Sequence, residues 1–475
     1  MRVTLSFPQV THVMRTGAGD RTLPPNAVFY LAAILRGHGH EVRAEVLPRA
    51  DLLAPSYVGP LVEGCDVLGL SANSINWRFA RRLAIAAREA RPDLPIVLGG
   101  IHPSLFPEHV LATTPADFVL RGEAETSLPE LLDAIAAGTR YGGHGGYGGY
   151  GGFERIAGLT WRDGGEVRSN PARPLLTREE LAAQPPPAFD LMPAGEYHGI
   201  GVESSRGCAF SCVFCSIPYR RSFRPLDAAA FCDRLARSLE LAGPRLVSPF
   251  GKASVYILDD CFTTSKRRAV EIFDRLAPLR GRVRYGIEAR ADQVTEPLAR
   301  TLAENELWLI QMGLESGYPE GLERVGKGLA IADIERACAI LRDHGLSDAA
   351  DYAFILGFPW EDRDDCLRTL DFALYLHLTY GGHISLAWYE PFPGSPLWER
   401  REEEGLRLSP GMFDDAGFDW RRSPEVFGSL RPRMTPADVA AVQQVAASIA
   451  ALDPKYLRSG SITDDLDVPS LTHCA

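Results

Sequence analysis

Two successive series of short apolar strands and amphipathic helices run along the chain, and this alternation restricts it to α/β architectures with parallel sheets. The first series fills residues 1–137 and begins with the strand-like run at 2–7. The second begins near residue 199 and has six candidate strands, at 199–205, 254–260, 282–290, 307–316, 351–358 and 383–391. The pattern predicts a doubly wound, Rossmann-like sheet followed by a partial (β/α)6 barrel of the TIM type, with chemistry at the carboxyl ends of the strands.

Segments of different composition separate and follow the two series. Residues 138–193 contain a Gly/Tyr-rich run, a hairpin pattern with an Asp-Gly-Gly turn and a stiff Pro-rich connector. The tail beyond residue 400 is rich in Arg and Glu and then becomes helical. We therefore expect four parts: 1–137, a linker with a hairpin at 138–193, a barrel at 194–400, and a small, mainly helical region at 401–475.

Charge and hydropathy exclude several classes of partner. The net charge of −11 argues against a nucleic-acid partner, because phosphate binding needs a basic surface. No apolar run approaches the roughly 20 residues that span a bilayer, and the amino terminus lacks the apolar core of a secretory signal. The sequence predicts a cytoplasmic protein without a membrane partner.

Three of the nine cysteines form a C-x3-C-x2-C cluster directly after the first barrel strand: Cys208, Cys212 and Cys215. Three thiolates on one short loop can bind a [4Fe–4S] cluster and leave its fourth iron open for another ligand. A zinc site would need a fourth ligand from elsewhere, and an electron-transfer ferredoxin would need a fourth Cys at ferredoxin spacing. Buried structural thiols are the remaining alternative.

This cluster, with Phe214 at the aromatic position, resembles the C-x3-C-x-aromatic-C signature of the radical-SAM superfamily. The resemblance implies that Cys208, Cys212 and Cys215 hold a [4Fe–4S] cluster whose open iron chelates S-adenosylmethionine (SAM). Reductive cleavage of SAM then yields a 5′-deoxyadenosyl radical. A low-potential flavodoxin or ferredoxin is the electron donor that the resemblance implies.

Polar residues at the ends of the later strands extend the resemblance. Asp259 and Asp260 follow the second barrel strand, where they would lie near the cofactor or cap the next helix. Arg290 ends the third strand, where it would pair with the SAM carboxylate or form a surface ion pair. The resemblance gives Glu315, at the end of the fourth strand, a contact with the ribose or amino group of SAM.

Residues 1–137 resemble the cobalamin-binding domain that precedes many radical-SAM barrels. A ligand in such a sheet binds in the crevice at the carboxyl ends of the strands. The candidate cobalamin-binding residues are Ser71, Asn73, Gly99, Gly100, Gly122 and Glu123. The Asp-x-His-x-x-Gly motif of some cobalamin enzymes is absent, which suggests cobalt without a protein His beneath it. We expect His102, just after Gly100, to face solvent.

The combined resemblance predicts a cobalamin-dependent radical-SAM methyltransferase that acts on an unactivated carbon, or phosphorus, of a small biosynthetic molecule. In such enzymes one SAM methylates cob(I)alamin and a second generates the radical. One alternative is an enzyme of the same architecture that rearranges, cyclises or oxidises its substrate. Another is a non-catalytic sensor that binds a metal or a corrinoid. A methylthiotransferase would carry further clustered cysteines in its first domain, where this chain has only Cys65.

Overall fold

The structure is a computed structural model that describes residues 1–9, 23–48, 55–138, 152–247, 251–414 and 424–452. The chain divides into two compact units. The first unit comprises 1–201, 233–247 and 409–417, and the second comprises 202–232, 248–408 and 418–475. The Gly/Tyr-rich run that we interpreted as a linker falls almost entirely within 139–151, outside the described residues.

A seven-stranded sheet forms the centre of the first unit, in the order β2-β1-β3-β4-β5-β6-β7. The pairs from β2 to β5 are parallel, whereas β5–β6 and β6–β7 are antiparallel. The predicted hairpin is therefore present and extends this sheet, which the sequence did not indicate. The strands are β1 (Arg2–Gln9), β2 (Glu41–Pro48), β3 (Val67–Ser71), β4 (Ile96–Gly99), β5 (Phe118–Leu120), β6 (Leu159–Asp163) and β7 (Glu166–Ser169).

Helices follow the strands of this sheet as the alternation predicts. The central strands are buried along nearly their whole length, because the helices shield them from water. The helices are α1 (Asn26–Gly37), α2 (Pro55–Val62), α3 (Trp77–Ala90), α4 (Ile101–Leu105), α5 (Pro107–Thr113), α6 (Ser127–Ala136) and α7 (Arg178–Ala183).

A second sheet has the sequential order β15-β14-β13-β12-β11-β8, and its pairs from β11 to β15 are parallel. Sequential parallel strands joined by helices are the pattern of a partial (β/α) barrel. Its strands are β8 (Gly199–Val202), β11 (Ala253–Ile257), β12 (Val283–Ala289), β13 (Leu307–Glu315), β14 (Ala350–Leu356) and β15 (His383–Trp388). A short antiparallel ladder joins β9 (Ser205–Arg206) to β10 (Arg224–Pro225).

Helices of the barrel alternate with these strands, and the last ones make the carboxyl-terminal region mainly helical. They are α8 (Ala228–Ala242), α9 (Lys266–Arg275), α10 (Glu296–Ala303), α11 (Pro319–Val325), α12 (Ile331–Asp343), α13 (Arg363–Tyr380), α14 (Pro396–Glu399), α15 (Pro424–Ser429) and α16 (Pro436–Leu452). The predicted fold class is thus confirmed. In the part of the chain that the structure describes, no helix is long and apolar enough to cross a bilayer.

Alternate residues of the barrel strands face two different environments. On the helix side, Tyr285 packs against Phe273 of α9 with ring centroids 5.3 Å apart. On the opposite side, the Tyr256 hydroxyl donates to Glu288, and the Ser385 hydroxyl donates to Asp351 at 3.0 Å. The interior of the barrel is therefore polar, and the carboxyl ends of its strands open on the loops that carry the candidate residues.

Candidate cofactor-binding sites

The cysteine loop follows β9 and is held to the barrel by backbone hydrogen bonds. The N–H of Val213 donates to the carbonyl of Val325 at 3.0 Å, and the Val213 carbonyl accepts from the N–H of Leu397 at 2.9 Å. The N–H of Cys215 donates to the carbonyl of Cys212 at 3.3 Å, which closes a tight turn between two of the three thiols. The loop therefore has a defined conformation between the end of α11 and the short helix α14.

The three clustered cysteines are free thiols in a largely desolvated setting. Burial raises the pKa of each thiol, that of Cys215 to about 11, and the negative charges of the other two cysteines add to the rise for Cys215. Among the described residues, no set of three or more His, Cys, Asp or Glu side chains closes on the position of a single metal ion. A four-iron cluster does not require this, because each thiolate binds a different iron.

Arg290 lies beside this loop at the end of β12, with only 4% of its surface exposed. Its guanidinium stacks on Phe210, 3.7 Å from the ring centroid. Nε is 3.0 Å from Asp292, and Nη2 donates to the Lys327 carbonyl at 2.7 Å. Nη1 is buried without a hydrogen-bond partner among the described residues. A buried cation with an unused donor is suited to an anionic ligand group.

Glu315 ends β13 and forms a buried ion pair with Lys327, whose Nζ is 2.6 Å from Oε1. Desolvation lowers the pKa of Lys327, but the charges of Glu315 and Cys212 outweigh it, and the net pKa is raised. Burial raises the pKa of Cys212, whereas the positive charges of Lys327 and Arg290 act to lower it. The structure thus brings Cys212, Arg290, Glu315 and Lys327 into one electrostatic cluster.

The two consecutive carboxylates after β11 have different surroundings. Asp260 accepts a hydrogen bond from the N–H of Gly207, and burial, with the nearby charge of Asp259, raises its pKa to about 6. Asp259 accepts from Ser204 and Ser205, on the strand side of the cysteine loop. The expectation that Asp259 caps the next helix is wrong, because its carboxylate accepts four hydrogen bonds from Ser204 and Ser205 instead.

Phe214, the aromatic residue of the cysteine motif, packs edge-on against Phe358, with ring centroids 6.0 Å apart. Phe358 stacks on Trp360 at 4.7 Å in the turn after β14. Glu361 holds this turn by accepting from the backbone N–H groups of Gly357 and Phe358 at 2.7 and 3.1 Å. Phe214 therefore anchors the cysteine loop to the turn after β14.

A pocket opens at the carboxyl ends of the strands in the first unit. Three of the six candidate cobalamin-binding residues, Ser71, Gly99 and Gly100, line it. Gly100 has φ 95°, and a Cβ atom there would lie 2.5 Å from the Ala72 carbonyl oxygen, so no other residue fits. The other lining residues are Leu5, Ser6, Val28, Leu31, Gly69, Leu70, Val97, Leu120, Ala124 and Leu128.

The other three candidates do not line this pocket and form hydrogen bonds within the first unit. Asn73 uses its side-chain oxygen to accept from the N–H groups of Ile75 and Asn76, both at 3.0 Å, ahead of α3. Gly122 donates its N–H to the hydroxyl of Ser104 at 2.9 Å. Glu123 is buried and accepts from the N–H of Leu176 at 2.6 Å.

His102 does not face solvent, and that expectation is wrong. Its ring is fully buried, stacks on Trp77 with centroids 4.7 Å apart, and also contacts Phe106 and Phe413 edge-on. Nδ1 lies 3.1 Å from the Ser74 hydroxyl. Desolvation lowers the pKa of His102 to about 3, so the ring is neutral and belongs to an aromatic core.

Sequence reasoning missed two polar residues at these sites. Ser6 lines the pocket, is 1% exposed, and has a hydroxyl without a hydrogen-bond partner among the described residues. The available signal was a serine between Leu5 and Phe7 in the first predicted strand. Lys327 stands between two glycines and is one of only four lysines in the chain, while nearly all other basic residues are Arg. That rarity was its signal.

Comparisons with known proteins agree with this arrangement. Residues 16–132 match the family model of the B12 binding domain, and residues 202–373 match that of the radical SAM superfamily. An uncharacterized methyltransferase of Pyrococcus horikoshii is 29% identical over 419 residues, 86% of this chain and 85% of the relative. The anaerobic magnesium-protoporphyrin IX monomethyl ester cyclase of Cereibacter sphaeroides is 24% identical and covers 84% of this chain and 62% of its own length.

Among solved structures, the cobalamin-dependent SAM radical enzyme OxsB with aqua-cobalamin bound has a similar fold. The TM-score is 0.65 at 21% identity, over 86% of this chain and 62% of that one. The fold, the cysteine loop and the two family matches define a radical-SAM enzyme. Because a B12-binding domain precedes its radical-SAM domain, the chain belongs to the cobalamin-dependent radical-SAM enzymes.

Proposed function

We propose that this enzyme is a methyltransferase that acts on an unactivated carbon, or phosphorus, of a small biosynthetic molecule. The observation that carries the proposal is the cluster of Cys212 with Arg290, Glu315 and Lys327 at the carboxyl ends of the barrel strands. It combines a candidate cluster ligand with two buried cations and a carboxylate, which suits an amino acid headgroup. The relative from Pyrococcus horikoshii, matched along most of both chains, is also named a methyltransferase.

Cys208, Cys212 and Cys215 would hold a [4Fe–4S] cluster and leave one iron open for the amino and carboxylate groups of SAM. Arg290 would offer its unpaired Nη1 to the SAM carboxylate, with Lys327 as a second positive charge. Glu315 would accept from the ribose or amino group. When bound, the cluster supplies reductive cleavage of SAM, and cobalamin carries the methyl group.

The pocket of the first unit would hold part of the cobalamin. Its lining is almost entirely apolar, and the buried Ser6 hydroxyl can hydrogen-bond a polar atom of the ligand. Gly100 allows the backbone at the rim to pack closely, because any larger residue would collide with the backbone at Ala72. Since aromatic rings enclose His102, we propose that this residue does not ligate cobalt.

The surroundings of such an enzyme follow from its chemistry. All eight described cysteines are free thiols, which suits a reducing compartment, and we propose a cytoplasmic location. A low-potential flavodoxin or ferredoxin would supply electrons. The net charge of −11 favours a small-molecule substrate over a nucleic acid.

Anaerobic turnover with SAM carrying a deuterated methyl group tests the proposal. The protein is reconstituted with iron, sulfide and hydroxocobalamin, and a low-potential chemical reductant starts the reaction. We expect both 5′-deoxyadenosine and S-adenosylhomocysteine, with the label on the corrinoid, and neither product from the Cys212→Ala variant. Deoxyadenosine without S-adenosylhomocysteine would reject methyl transfer.

A second candidate function is a cyclisation or another oxidation without methyl transfer. The similarity to the anaerobic cyclase of Cereibacter sphaeroides, over 84% of this chain, favours it. This candidate predicts that SAM is consumed only to deoxyadenosine and methionine. The ratio of the two nucleoside products therefore separates the two functions before the substrate is known.

A further inference from the structure

Asp259 makes an unusual set of contacts just below the cysteine loop. Its Oδ1 accepts from the backbone N–H groups of Ser204 and Ser205, both at 2.7 Å. Its Oδ2 accepts from the hydroxyls of the same two serines, at 2.5 and 2.6 Å. Four donors from two consecutive residues thus converge on one carboxylate that is only 2% exposed.

Arg268, on α9, supplies a positive charge near the buried Asp259 carboxylate. Its Nη1 is 3.9 Å from Oδ2 of Asp259. Nε donates to the Leu226 carbonyl at 2.7 Å, and Nη2 donates to the Ser204 carbonyl. The guanidinium therefore binds the same segment as the carboxylate, and it also fixes the residue that follows β10. A buried ion pair is tolerated when the other polar atoms of both side chains have hydrogen-bond partners. Here the Asp259 carboxylate accepts four hydrogen bonds, and Arg268 donates from Nε and Nη2.

The segment held in this way leads directly to the first cysteine. Ser205 belongs to the β9–β10 ladder, and Gly207 follows with φ 82°. A Cβ atom at Gly207 would lie 2.1 Å from the Ser222 carbonyl oxygen and 2.7 Å from that of Tyr219. The backbone from Ser204 to Cys208 therefore has little freedom, and its position depends on Asp259 at one end and on the close packing of Gly207 at the other.

We propose that Asp259 is a positioning residue that fixes the direction in which Cys208 leaves β9, and with it the geometry of the iron–sulfur cluster. This inference rests on the proposed function, because it takes Cys208 as a cluster ligand. Asp259 acts through the backbone and touches neither the cysteines nor the reacting atoms. Groups that orient metal ligands in this way usually change metal affinity by about 10- to 100-fold when they are replaced.

The test compares Asp259→Asn with Asp117→Asn as a matched control. Asp117 is equally buried, pairs with Arg88 at 2.6 Å, and accepts from the N–H of Ile96, but lies in the first unit. Each anaerobically reconstituted protein is examined for iron and sulfide per chain, the electron paramagnetic resonance spectrum of the reduced cluster with and without SAM, and the rate of iron loss to a chelator. Circular dichroism and thermal unfolding report the fold.

We expect Asp259→Asn to lose iron about tenfold faster than the wild type and to show an altered resonance spectrum in protein that is still folded. Asp117→Asn should lower Tm and leave the cluster signals unchanged. Ser205→Ala removes a single hydroxyl from the hydrogen bonds around Asp259, and should change the rate of iron loss and the resonance spectrum to a smaller extent. If the Asp259 variant does not fold, Ser205→Ala tests whether these hydrogen bonds affect the cluster.

Two outcomes would overturn the inference in different ways. If the wild type binds the cluster and both Asp259→Asn and Ser205→Ala retain it with unchanged spectra and iron loss, Asp259 has no positioning role and the proposed function stands. If the reconstituted wild type binds no four-iron cluster, the proposed function fails, and the role of Asp259 fails with it.

Discussion

Lys327 and Glu315 form an ion pair of 2.6 Å in which both side chains are more than nine-tenths shielded from water. Glu315 has φ 69°, in the left-handed region that non-glycine residues rarely adopt. Such strain, about 1–3 kcal/mol, persists only where the surrounding structure imposes it, and it concentrates at functional sites. The pair therefore holds the end of β13 in a fixed conformation beside Cys212.

Replacing Lys327 by Met should reduce both stability and SAM binding. Glu315 would remain as an uncompensated buried charge, which typically destabilises a protein by about 3–5 kcal/mol. We expect the dissociation constant for SAM to rise about tenfold or more, equivalent to at least about 1.4 kcal/mol, because a positive charge near Cys212 is lost. Thermal unfolding and anaerobic equilibrium dialysis measure the two effects.

The control for this prediction is Lys252→Met, which breaks a partly exposed ion pair with Glu306 on the same unit. Ion pairs of this kind contribute about 0–1 kcal/mol. Equal losses of Tm in the two variants, with unchanged SAM binding, would show that the buried pair has no special role.

The sequence was sufficient to place the strands and the cysteine motif along the chain, because both are local patterns, but it did not indicate that the β6–β7 hairpin extends the first sheet. Hydrophobic periodicity marks each strand, and parallel strands necessarily gather their carboxyl ends at one edge. The partner of Glu315 could not be predicted, since Lys327 reaches it only after α11 has folded back. The contacts of Asn73 and His102 could not be predicted either. The Asn73 side chain hydrogen-bonds within a turn, and the His102 ring packs in an aromatic core.

Gly207→Ala should prevent assembly of the cysteine loop. The added methyl group would require the backbone at Ser222 to move, because the two atoms would be 2.1 Å apart. Gly281→Ala is the matched control, since Gly281 has φ 77° but nothing within 4 Å of its Cβ position. It should cost about 1–2 kcal/mol from left-handed strain alone.

Iron content after reconstitution and Tm distinguish the two glycine variants. Gly207→Ala should lose most of its iron, and Gly281→Ala should retain it. Normal iron content in both variants would mean that the loop tolerates the displacement and that the close approach at Ser222 is unimportant for the cluster.

Filling the pocket of the first unit should abolish cobalamin binding without unfolding the protein. Ala124→Phe adds an aromatic ring to the pocket lining, whereas Ala136→Phe adds the same ring at the exposed end of α6. We expect the first variant to bind hydroxocobalamin at least about tenfold more weakly, a difference of about 1.4 kcal/mol or more. Corrinoid absorption after gel filtration measures this, and equal retention by both variants would place the ligand elsewhere.

The stability of the first unit should fall as the solution becomes acidic, because His102 is buried in its neutral form. The pKa of His102 in the folded protein is about 3, against an ordinary histidine value of 6.5. Between these two values the unfolded chain binds a proton that the folded chain does not, so stability is lost as pH falls from 6.5 towards 3. Each pH unit in that interval removes up to about 1.4 kcal/mol.

His102→Phe keeps a ring against Trp77 and should flatten this dependence, whereas His38→Phe, at an exposed position after α1, should not. Urea unfolding at several pH values, monitored by tryptophan fluorescence, measures how the free energy of unfolding changes with pH. If this dependence is the same in the wild type and in His102→Phe, another group causes the acid sensitivity.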